Sequence, residues 1–184
     1  GESGEASAYP DCESRVRGGA LDGRSISSLL AEYGSELIGT APWERYGGAF
    51  PLLIKLIDSN ADLSVQVHPD DDYTARNGLT DPGKSEAWYV LEEGGGRACL
   101  GLKDGVGRVE LAEAIRVGKV LDVVEFCQLQ PGDCLDVRPG TVHASTKGLL
   151  IYEVQQPSDL TFRIYDYDRL GLDGNKRELH IDQS

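Results

Sequence analysis

Four side chains in this sequence have the chemistry to bind one divalent metal ion together. They are Gln66, His68, Glu86 and His143, which offer an amide oxygen, two imidazoles and a carboxylate. Nitrogen and oxygen donors of this kind suit zinc or another divalent ion. Because no thiolate belongs to the set, a catalytic or exchangeable metal site is favoured over a closed structural one.

The segment around His68 places three polar groups on one side of a strand. If residues 63–68 are extended, Ser64, Gln66 and His68 share a face, because side chains alternate along a strand. The odd-numbered residues then form an apolar face. On this segment alone, a polar face exposed to solvent is the simpler interpretation, and a face that lines a cavity is the alternative.

Glu86 opens an apolar strand, which is an unusual place for an acid unless it faces a site. Lys84, Glu86 and Trp88 have the same parity and are expected on one face of that strand. The alternative is an ordinary exposed strand start, where Lys and Glu are common.

His143 belongs to the most specific local pattern of the chain. One strand ends before a Pro-Gly turn, and the histidine starts the next strand. The spacing of Gly132, Gly140 and His143 resembles the second motif of the cupin family, in which this histidine binds a metal inside a β-barrel. The sequence departs from that motif where Arg138 replaces its proline and Lys147 replaces its asparagine.

Several motifs in a consistent order resemble the type I phosphomannose isomerases, which are cupin-fold, zinc-dependent mannose-6-phosphate isomerases. The motifs are Gln-x-His-Pro, Gly-Lys-Ser-Glu, Pro-Gly-Thr-Val-His and an arginine in a strand. The resemblance is clearest in Leu63–Asp71, Gly83–Tyr89, Pro139–Ala144 and Tyr152–Arg169. Residues 1–5 are similar to the opening Gly-Glu-Ser-Trp-Glu of the shorter bacterial members. Family members continue beyond both ends of this region, and the chain has no methionine, so we expect a fragment or a minimal version.

The resemblance also implies a role for each matched residue. The four candidate ligands match the metal ligands of the family, which implies one zinc ion per chain, or another divalent metal. Arg163, Lys84 and Asp159 match catalytic positions. Ser64 matches a position near the substrate phosphate, for which Lys84 is a second candidate. The implied partner is a small-molecule sugar phosphate.

An aldose–ketose isomerase moves one hydrogen between adjacent carbons, so the developing enediolate must be stabilised. A divalent metal can do this as a Lewis acid, while a base with a pKa near the working pH carries the proton. The candidates for the base are Lys84 and a metal-bound hydroxide, with Arg163 as a fixed positive charge. If Lys84 instead binds the phosphate, the base is unassigned.

The pattern of apolar residues predicts elements that position these groups. One helix is predicted over Ser25–Ile38, where apolar residues recur on one face and Ser25 can act as the N-cap. A short helix is predicted over Leu111–Val117. The predicted strands are Leu52–Ile57, Leu63–His68, Ala87–Leu91, Ala98–Leu102, Val123–Leu129, Cys134–Val137, Leu149–Gln155 and Thr161–Tyr165.

These elements predict a mainly β protein, an antiparallel sandwich or barrel with a short N-terminal helical segment. The resemblance implies that it is a cupin-like antiparallel β-barrel (jelly roll). The expected division is an irregular and helical segment at residues 1–48, the barrel with the metal site at 49–170, and a charged tail at 171–184. That tail would begin a further C-terminal domain. His180 lies in it and is predicted to be a surface residue.

Composition excludes several classes of partner. The chain has 184 residues and a formal net charge of −13, which disfavours nucleic acid and anionic membranes. No apolar run approaches the roughly 20 residues of a membrane helix. Four cysteines lack the C-x-x-C spacing and are expected to be reduced thiols in a cytoplasmic protein. The sequence does not determine the oligomeric state.

Besides a purely structural β domain, which would apply only if the purified protein carries no metal, two further functions stay open at the level of sequence. The first is another metal-cupin enzyme, such as an iron oxygenase with two histidines and one carboxylate. Gln66 as a fourth ligand argues against it, since fewer coordination positions would be open. The second is a non-catalytic module that binds a metal or a sugar phosphate.

Overall fold

The computed structural model describes residues 1–171 and 174–184 and consists mainly of two antiparallel sheets. The strands are β1 (Glu2–Ala6), β2 (Leu53–Asp58), β3 (Val65–Val67), β4 (Glu86–Glu93), β5 (Arg97–Leu102), β6 (Val124–Gln128), β7 (Cys134–Val137), β8 (His143–Ser145), β9 (Leu149–Gln155) and β10 (Phe162–Tyr165). The α-helices are α1 (Ile26–Tyr33), α2 (Ser35–Ile38), α3 (Thr40–Arg45), α4 (Asp71–Arg76), α5 (Arg108–Arg116) and α6 (Val120–Val123). A short 3-10 helix covers Pro10–Cys12.

Each sheet has five strands, and neighbouring strands come from distant positions in the sequence. The first has the order β1-β2-β9-β4-β7 and the second the order β10-β3-β8-β5-β6. The strand pairs within both sheets are antiparallel. The mainly β fold class predicted from the sequence is therefore confirmed.

The apolar residues form two separate clusters. One lies between the sheets, where Trp88, Val90 and Ile151 of the first sheet pack with Ala98 of the second. The other covers the outer face of the second sheet and is built from Val65, Val67, Cys99, Val120, Val124, Val142, Ala144, Phe162 and Ile164. Side chains from α4 and α5 pack against this outer cluster. The helices thus bury the face of the second sheet that the first sheet leaves uncovered.

The single helix predicted over Ser25–Ile38 is wrong, because the chain breaks at Gly34. This glycine has a φ of 52° and separates α1 from α2. A positive φ of this kind favours glycine, which has no Cβ. A Cβ at this position would also lie 3.4 Å from the ring of Trp43. The predicted N-cap is confirmed, since the Ser25 side chain accepts a hydrogen bond from the backbone N–H of Ser28.

Other elements follow the predicted pattern with several additions, among them β1, α4 and α6. The strands predicted over Cys134–Val137 and Leu149–Gln155 have those bounds in the structure. Residues 2–6, in the stretch expected to be irregular, form the edge strand β1. The helix α4 was not predicted, and it begins where the Asp70 side chain accepts a hydrogen bond from the backbone of Tyr73. The division into residues 1–48, 49–170 and 171–184 stays a prediction.

Two predictions about chemical environment are also addressed by the structure. All four cysteines are free thiols, as expected. Among the described residues, no helix has both the length and the apolar character needed to cross a membrane.

Candidate metal centre

The predicted ligands His68, Glu86 and His143 lie together in the interior. Their ligand atoms are all within 4.8 Å of one another. The Nε2 atom of His68 is 3.2 Å from Glu86 Oε1, and the Nε2 atom of His143 is 3.7 Å from Glu86 Oε2. The three side chains are only 1 %, 4 % and 0 % exposed. Two imidazoles and a carboxylate are therefore concentrated where water is largely excluded.

Both sheets contribute to this cluster. Gln66 and His143 are direct cross-strand partners in β3 and β8, and Gln66 Nε2 is 3.3 Å from His143 Nε2. Glu86 comes from the first sheet, at the start of β4. His68 and Ser64 are buried, so the interpretation of this strand face as solvent-exposed is wrong. The alternation of side chains along β3 was predicted correctly, but its polar face is buried because the first sheet covers it.

The hydrogen bonds of the two histidines leave nitrogen atoms available. His143 Nδ1 lies 2.9 Å from the carbonyl oxygen of Thr141. A hydrogen bond from this N–H fixes the tautomer in which Nε2 carries a lone pair. His68 is buried; its Nε2 atom contacts the Glu86 carboxylate at 3.2 Å, but neither ring nitrogen forms a well-aligned hydrogen bond within the described part of the chain. Buried polar atoms without partners are rare and call for an explanation such as an ion.

Burial keeps both imidazoles neutral. It lowers the pKa of His143 to about 4, and it lowers the pKa of His68 as well. For Glu86, burial alone would raise the pKa, but the contact with His68 and the positive charge of Lys84 reverse the effect and lower the pKa of the carboxyl. Neutral imidazole and ionised carboxylate are the protonation states that bind metal ions.

Lys84 is a buried cation beside the candidate ligands. Its Nζ atom lies 3.0 Å from Glu86 Oε1, and the residue is 6 % exposed. The preceding Gly83 allows this approach, because a Cβ there would overlap the backbone of Asp70 and Asp71. The backbone N–H of Lys84 also donates to the carbonyl of Pro69, at 2.9 Å. The Gly-Lys dipeptide is therefore packed against the start of α4.

A second buried carboxylate, Glu153, was not identified from the sequence. It is 4 % exposed, and its Oε2 atom accepts a hydrogen bond of 2.9 Å from Trp88 Nε1. The same indole nitrogen lies 3.1 Å from Glu86 Oε2. Burial, followed by the charge of Glu86, raises the pKa of Glu153 to about 7. The sequence does contain a signal for the burial of Glu153, because Glu153 has the same parity along β9 as the buried residues Leu149 and Ile151.

Six of the eight predicted site residues line one cleft of about 200 Å³. The lining residues are Glu2, Lys55, Ile57, Leu63, Ser64, Gln66, Lys84, Glu86, Glu153, Asp159, Thr161, Arg163 and Arg177. The sequence-based candidates Ser64, Gln66, Lys84, Asp159 and Arg163 are thus brought together with Glu86. The two buried histidines are in contact with this lining through Glu86 and Gln66.

The loop that carries Asp159 is fastened from a distant part of the chain. The backbone N–H of Asp159 donates to Asp81 Oδ2 at 2.9 Å. The hydroxyl of Tyr9 donates to the same oxygen at 2.5 Å. Burial and the hydrogen bond to Asp81 raise the pKa of Tyr9, which keeps the phenol protonated and able to donate. Asp159 is therefore held at the cleft by residues outside the two sheets.

The C-terminal segment contributes more than the sequence indicated. His180 is half-buried and its backbone N–H donates to the carbonyl of Arg163 at 2.8 Å, so its prediction as a surface residue is wrong. Arg177, from the same segment, lines the cleft. These contacts depend on the tail folding back onto β10, which no local pattern of charged residues predicts.

A larger cavity of about 440 Å³ lies elsewhere. It is lined mainly by small and apolar residues, including Leu30, Trp43 and Phe50, together with Tyr9. No histidine, carboxylate or cationic side chain lines it among the described residues. Chemical function is therefore assigned to the smaller cleft.

Known proteins resemble this chain in both sequence and fold. The family model for phosphomannose isomerase type I, catalytic domain, matches residues 4–88. Mannose-6-phosphate isomerase of Streptococcus mutans is 39 % identical over 184 residues, which cover 100 % of this chain and 56 % of the relative. The crystal structure of the mannose 6-phosphate isomerase from Bacillus subtilis has a TM-score of 0.85 and 37 % identity, and the match covers 100 % of this chain and 57 % of that one.

A zinc-bound mannose 6-phosphate isomerase has the same fold at lower similarity. Its TM-score is 0.66 at 15 % identity, with 99 % of this chain and 64 % of that chain covered. The chain spans 56–57 % of the length of the curated relatives that it matches. The motifs, the fold and these similarities agree, and the chain resembles the type I phosphomannose isomerases along its whole length.

Proposed function

We propose that this chain interconverts mannose 6-phosphate and fructose 6-phosphate as a metal-dependent isomerase. The observation that carries the proposal is the buried cluster of His68, Glu86 and His143, opening through Gln66 and Glu86 to a cleft lined by charged side chains. The names of the full-length relatives supply the substrate.

The donor set fits a zinc ion. His68, Glu86 and His143 provide two neutral nitrogen donors and one carboxylate, and His68 has no hydrogen-bond partner that would compete within the described chain. Gln66 would be the fourth ligand. Its Nε2 atom faces His143 while its Oε1 accepts a hydrogen bond from Ser64, and rotation of the amide by 180° would turn the oxygen toward the cluster. When bound, the metal would act as a Lewis acid on the substrate oxygens at C1 and C2.

Lys84 is the proposed group that moves the proton between C1 and C2. Its Nζ atom is held 3.0 Å from Glu86 Oε1, which places it beside the proposed metal ligands, where those carbons would lie. Glu153 is a second candidate, because burial raises its pKa to about 7, close to a working pH near neutrality. Either group would act in a site where surrounding side chains exclude bulk water.

Three further residues are proposed to hold the substrate. Arg163 is the cross-strand partner of Gln66, so its guanidinium can provide fixed positive charge for the enediolate. Asp159 faces the same cleft and can accept hydrogen bonds from sugar hydroxyls. The Ser64 hydroxyl can donate to the substrate near its phosphate.

Turnover of mannose 6-phosphate by this chain tests the proposal. We expect activity in a coupled assay that is lost on chelation and restored by zinc. Binding of mannose 6-phosphate without turnover would instead favour the non-catalytic module. Oxygen consumption with ferrous iron would favour the oxygenase. Either result, obtained with folded and metal-loaded protein, would overturn the isomerase proposal.

A further inference from the structure

We propose that Arg177 binds the phosphate group of the substrate, at the end of the cleft opposite the metal cluster, and that Asp166 positions it there. This inference rests on the proposed sugar-phosphate substrate and names the residue that would recognise its charged end. Arg177 lines the cleft, and its side chain is 39 % exposed. It lies in a segment for which the sequence predicted only a charged tail.

A buried carboxylate holds Arg177 in place. Asp166 is 5 % exposed and accepts hydrogen bonds from both Nε and Nη2 of Arg177, the first at 2.6 Å. Arg169 contacts the same carboxylate through Nη2 at 2.5 Å. Burial would raise the pKa of Asp166, but its hydrogen bonds with the two guanidinium groups lower it, so the carboxyl stays ionised. Paired donation of this kind fixes the direction of a planar guanidinium.

The backbone around Arg177 is fastened to β10. The N–H of His180 donates to the carbonyl of Arg163 at 2.8 Å, and the N–H of Arg163 donates to His180 Nδ1 at 3.1 Å. The Arg163 guanidinium donates to the carbonyl of Glu178 at 3.1 Å. The segment that carries Arg177 is therefore held against β10, so less conformational entropy is lost when Arg177 binds a ligand.

This cluster lies at the far end of β3 from the metal ligands. Arg169 Nη1 donates to the carbonyl of Asp62, which precedes β3, whereas His68 follows β3. Ser64, expected near the phosphate, is also at the Asp62 end. A hexose 6-phosphate carries its reacting carbons and its phosphate at opposite ends. A phosphate at the Asp62 end would therefore leave C1 and C2 near the metal cluster.

The balance of charge also favours an anion at this end. The two lysines that line the cleft each contact a carboxylate, since Lys55 pairs with Glu2 at 2.6 Å and Lys84 with Glu86 at 3.0 Å. In contrast, Arg169 and Arg177 both pair with the single carboxylate of Asp166. Arg163 is a third cation nearby and forms no carboxylate ion pair within the described residues. Burial, and after it the charge of Arg177, lowers the pKa of Arg163, and a bound phosphate would relieve the repulsion between these two guanidinium groups.

The test compares Arg177→Gln with the wild type and with Arg138→Gln. Arg138 also pairs with an aspartate, Asp136, but its side chain is 79 % exposed and lies outside the cleft. Calorimetry with zinc-loaded protein would measure the Kd of mannose 6-phosphate, of inorganic phosphate and of mannose. Loss of hydrogen bonds to a charged group predicts that Arg177→Gln weakens mannose 6-phosphate binding by about 10- to 100-fold. Inorganic phosphate should weaken in parallel, while mannose and the Arg138→Gln control stay unchanged.

Kinetics and a conservative variant separate recognition from folding. We expect Arg177→Gln to raise KM with little change in kcat, and Arg177→Lys to recover part of the affinity because it keeps the charge. Equal Kd values for mannose 6-phosphate in Arg177→Gln and the wild type would overturn the proposal, as would a wild type that binds neither phosphate compound. If the wild type shows Arg177-dependent phosphate binding but no turnover, the isomerase proposal fails and the anion site stands.

Discussion

The two faces of the second sheet differ sharply although they belong to the same strands. On the outer face, Val65 and Ile164 are 0 % and 1 % exposed, and helices cover them. On the inner face, Gln66, His143 and Arg163 point toward the first sheet and the cleft. One residue along β3 or β10 therefore separates apolar packing from polar chemistry. Because side chains alternate with a period of two, a strand can carry both without either disturbing the other.

This contrast teaches that burial has two different functions in this sheet. The outer face gains stability because apolar area is removed from water. On the inner face, burial costs stability for ionisable groups, yet it sets their protonation states, as the lowered pKa of His143 shows. The raised pKa of Glu153 shows the same effect on the first sheet. Substitutions on the outer face should therefore lower the free energy of unfolding, and those on the inner face should change metal binding or catalysis.

The largest expected effect in the cleft that the inner face borders comes from Lys84→Met. If Lys84 transfers the proton, its loss should lower kcat by about 10²- to 10⁴-fold, the usual contribution of a general acid or base. Lys103→Met is the matched control, since Lys103 is exposed and its side chain donates only to the carbonyl of Asp122 among the described residues. Steady-state kinetics distinguish the roles, because a loss confined to KM would contradict proton transfer by Lys84.

On the outer face, Ile164→Ala should reduce stability rather than chemistry. Removing this buried side chain is expected to lower the free energy of unfolding by about 2–5 kcal/mol. Val109→Ala removes an apolar side chain that is 77 % exposed and should change stability by less than about 0.5 kcal/mol. Denaturant titration measures both. A large loss of zinc affinity in folded Ile164→Ala protein would show that the two faces are not independent.

A smaller effect is expected in the pH dependence of the metal-free protein. Burial lowers the pKa of His143 from its ordinary value of 6.5 to about 4, so between these values only the unfolded chain binds the proton. The free energy of unfolding should therefore fall as the pH decreases from 6.5 to 4, by up to about 3 kcal/mol from this group. His143→Gln should remove that part of the slope, and His180→Gln should retain it. A constant difference between wild type and His143→Gln across this range would rule out the explanation.

Local sequence signals predicted the strands well where alternation was clear. The run from Leu149 to Gln155 alternates in burial along its whole length and was predicted with the observed bounds. The helix break at Gly34 was missed, because apolar spacing alone continues through it, whereas the turn depends on a positive φ and on contact with Trp43. The helix α4 is only six residues long and has an acidic start, so it lacks the apolar period on which helix prediction relies.

For the site, ordered motifs indicated which side chains converge. His68 and His143 are 75 positions apart in the printed sequence, and only the motifs connected them before the fold was known. Glu153 was missed because a glutamate in an apolar strand is usually an exposed residue. Arg177 was missed for a different reason, since its position depends on contacts between the C-terminal segment and β10. Long-range contacts of this kind leave no periodic signal in a single sequence.

The most direct test of the account is a zinc titration of metal-stripped protein by calorimetry. We expect the wild type to bind one zinc ion per chain, and Glu86→Gln to bind at least about 100-fold more weakly, since a direct ligand should matter no less than a second-layer partner. Glu92→Gln, on the same strand but exposed, should bind like the wild type. Equal zinc affinity in folded Glu86→Gln and wild-type protein would contradict a metal centre at this cluster.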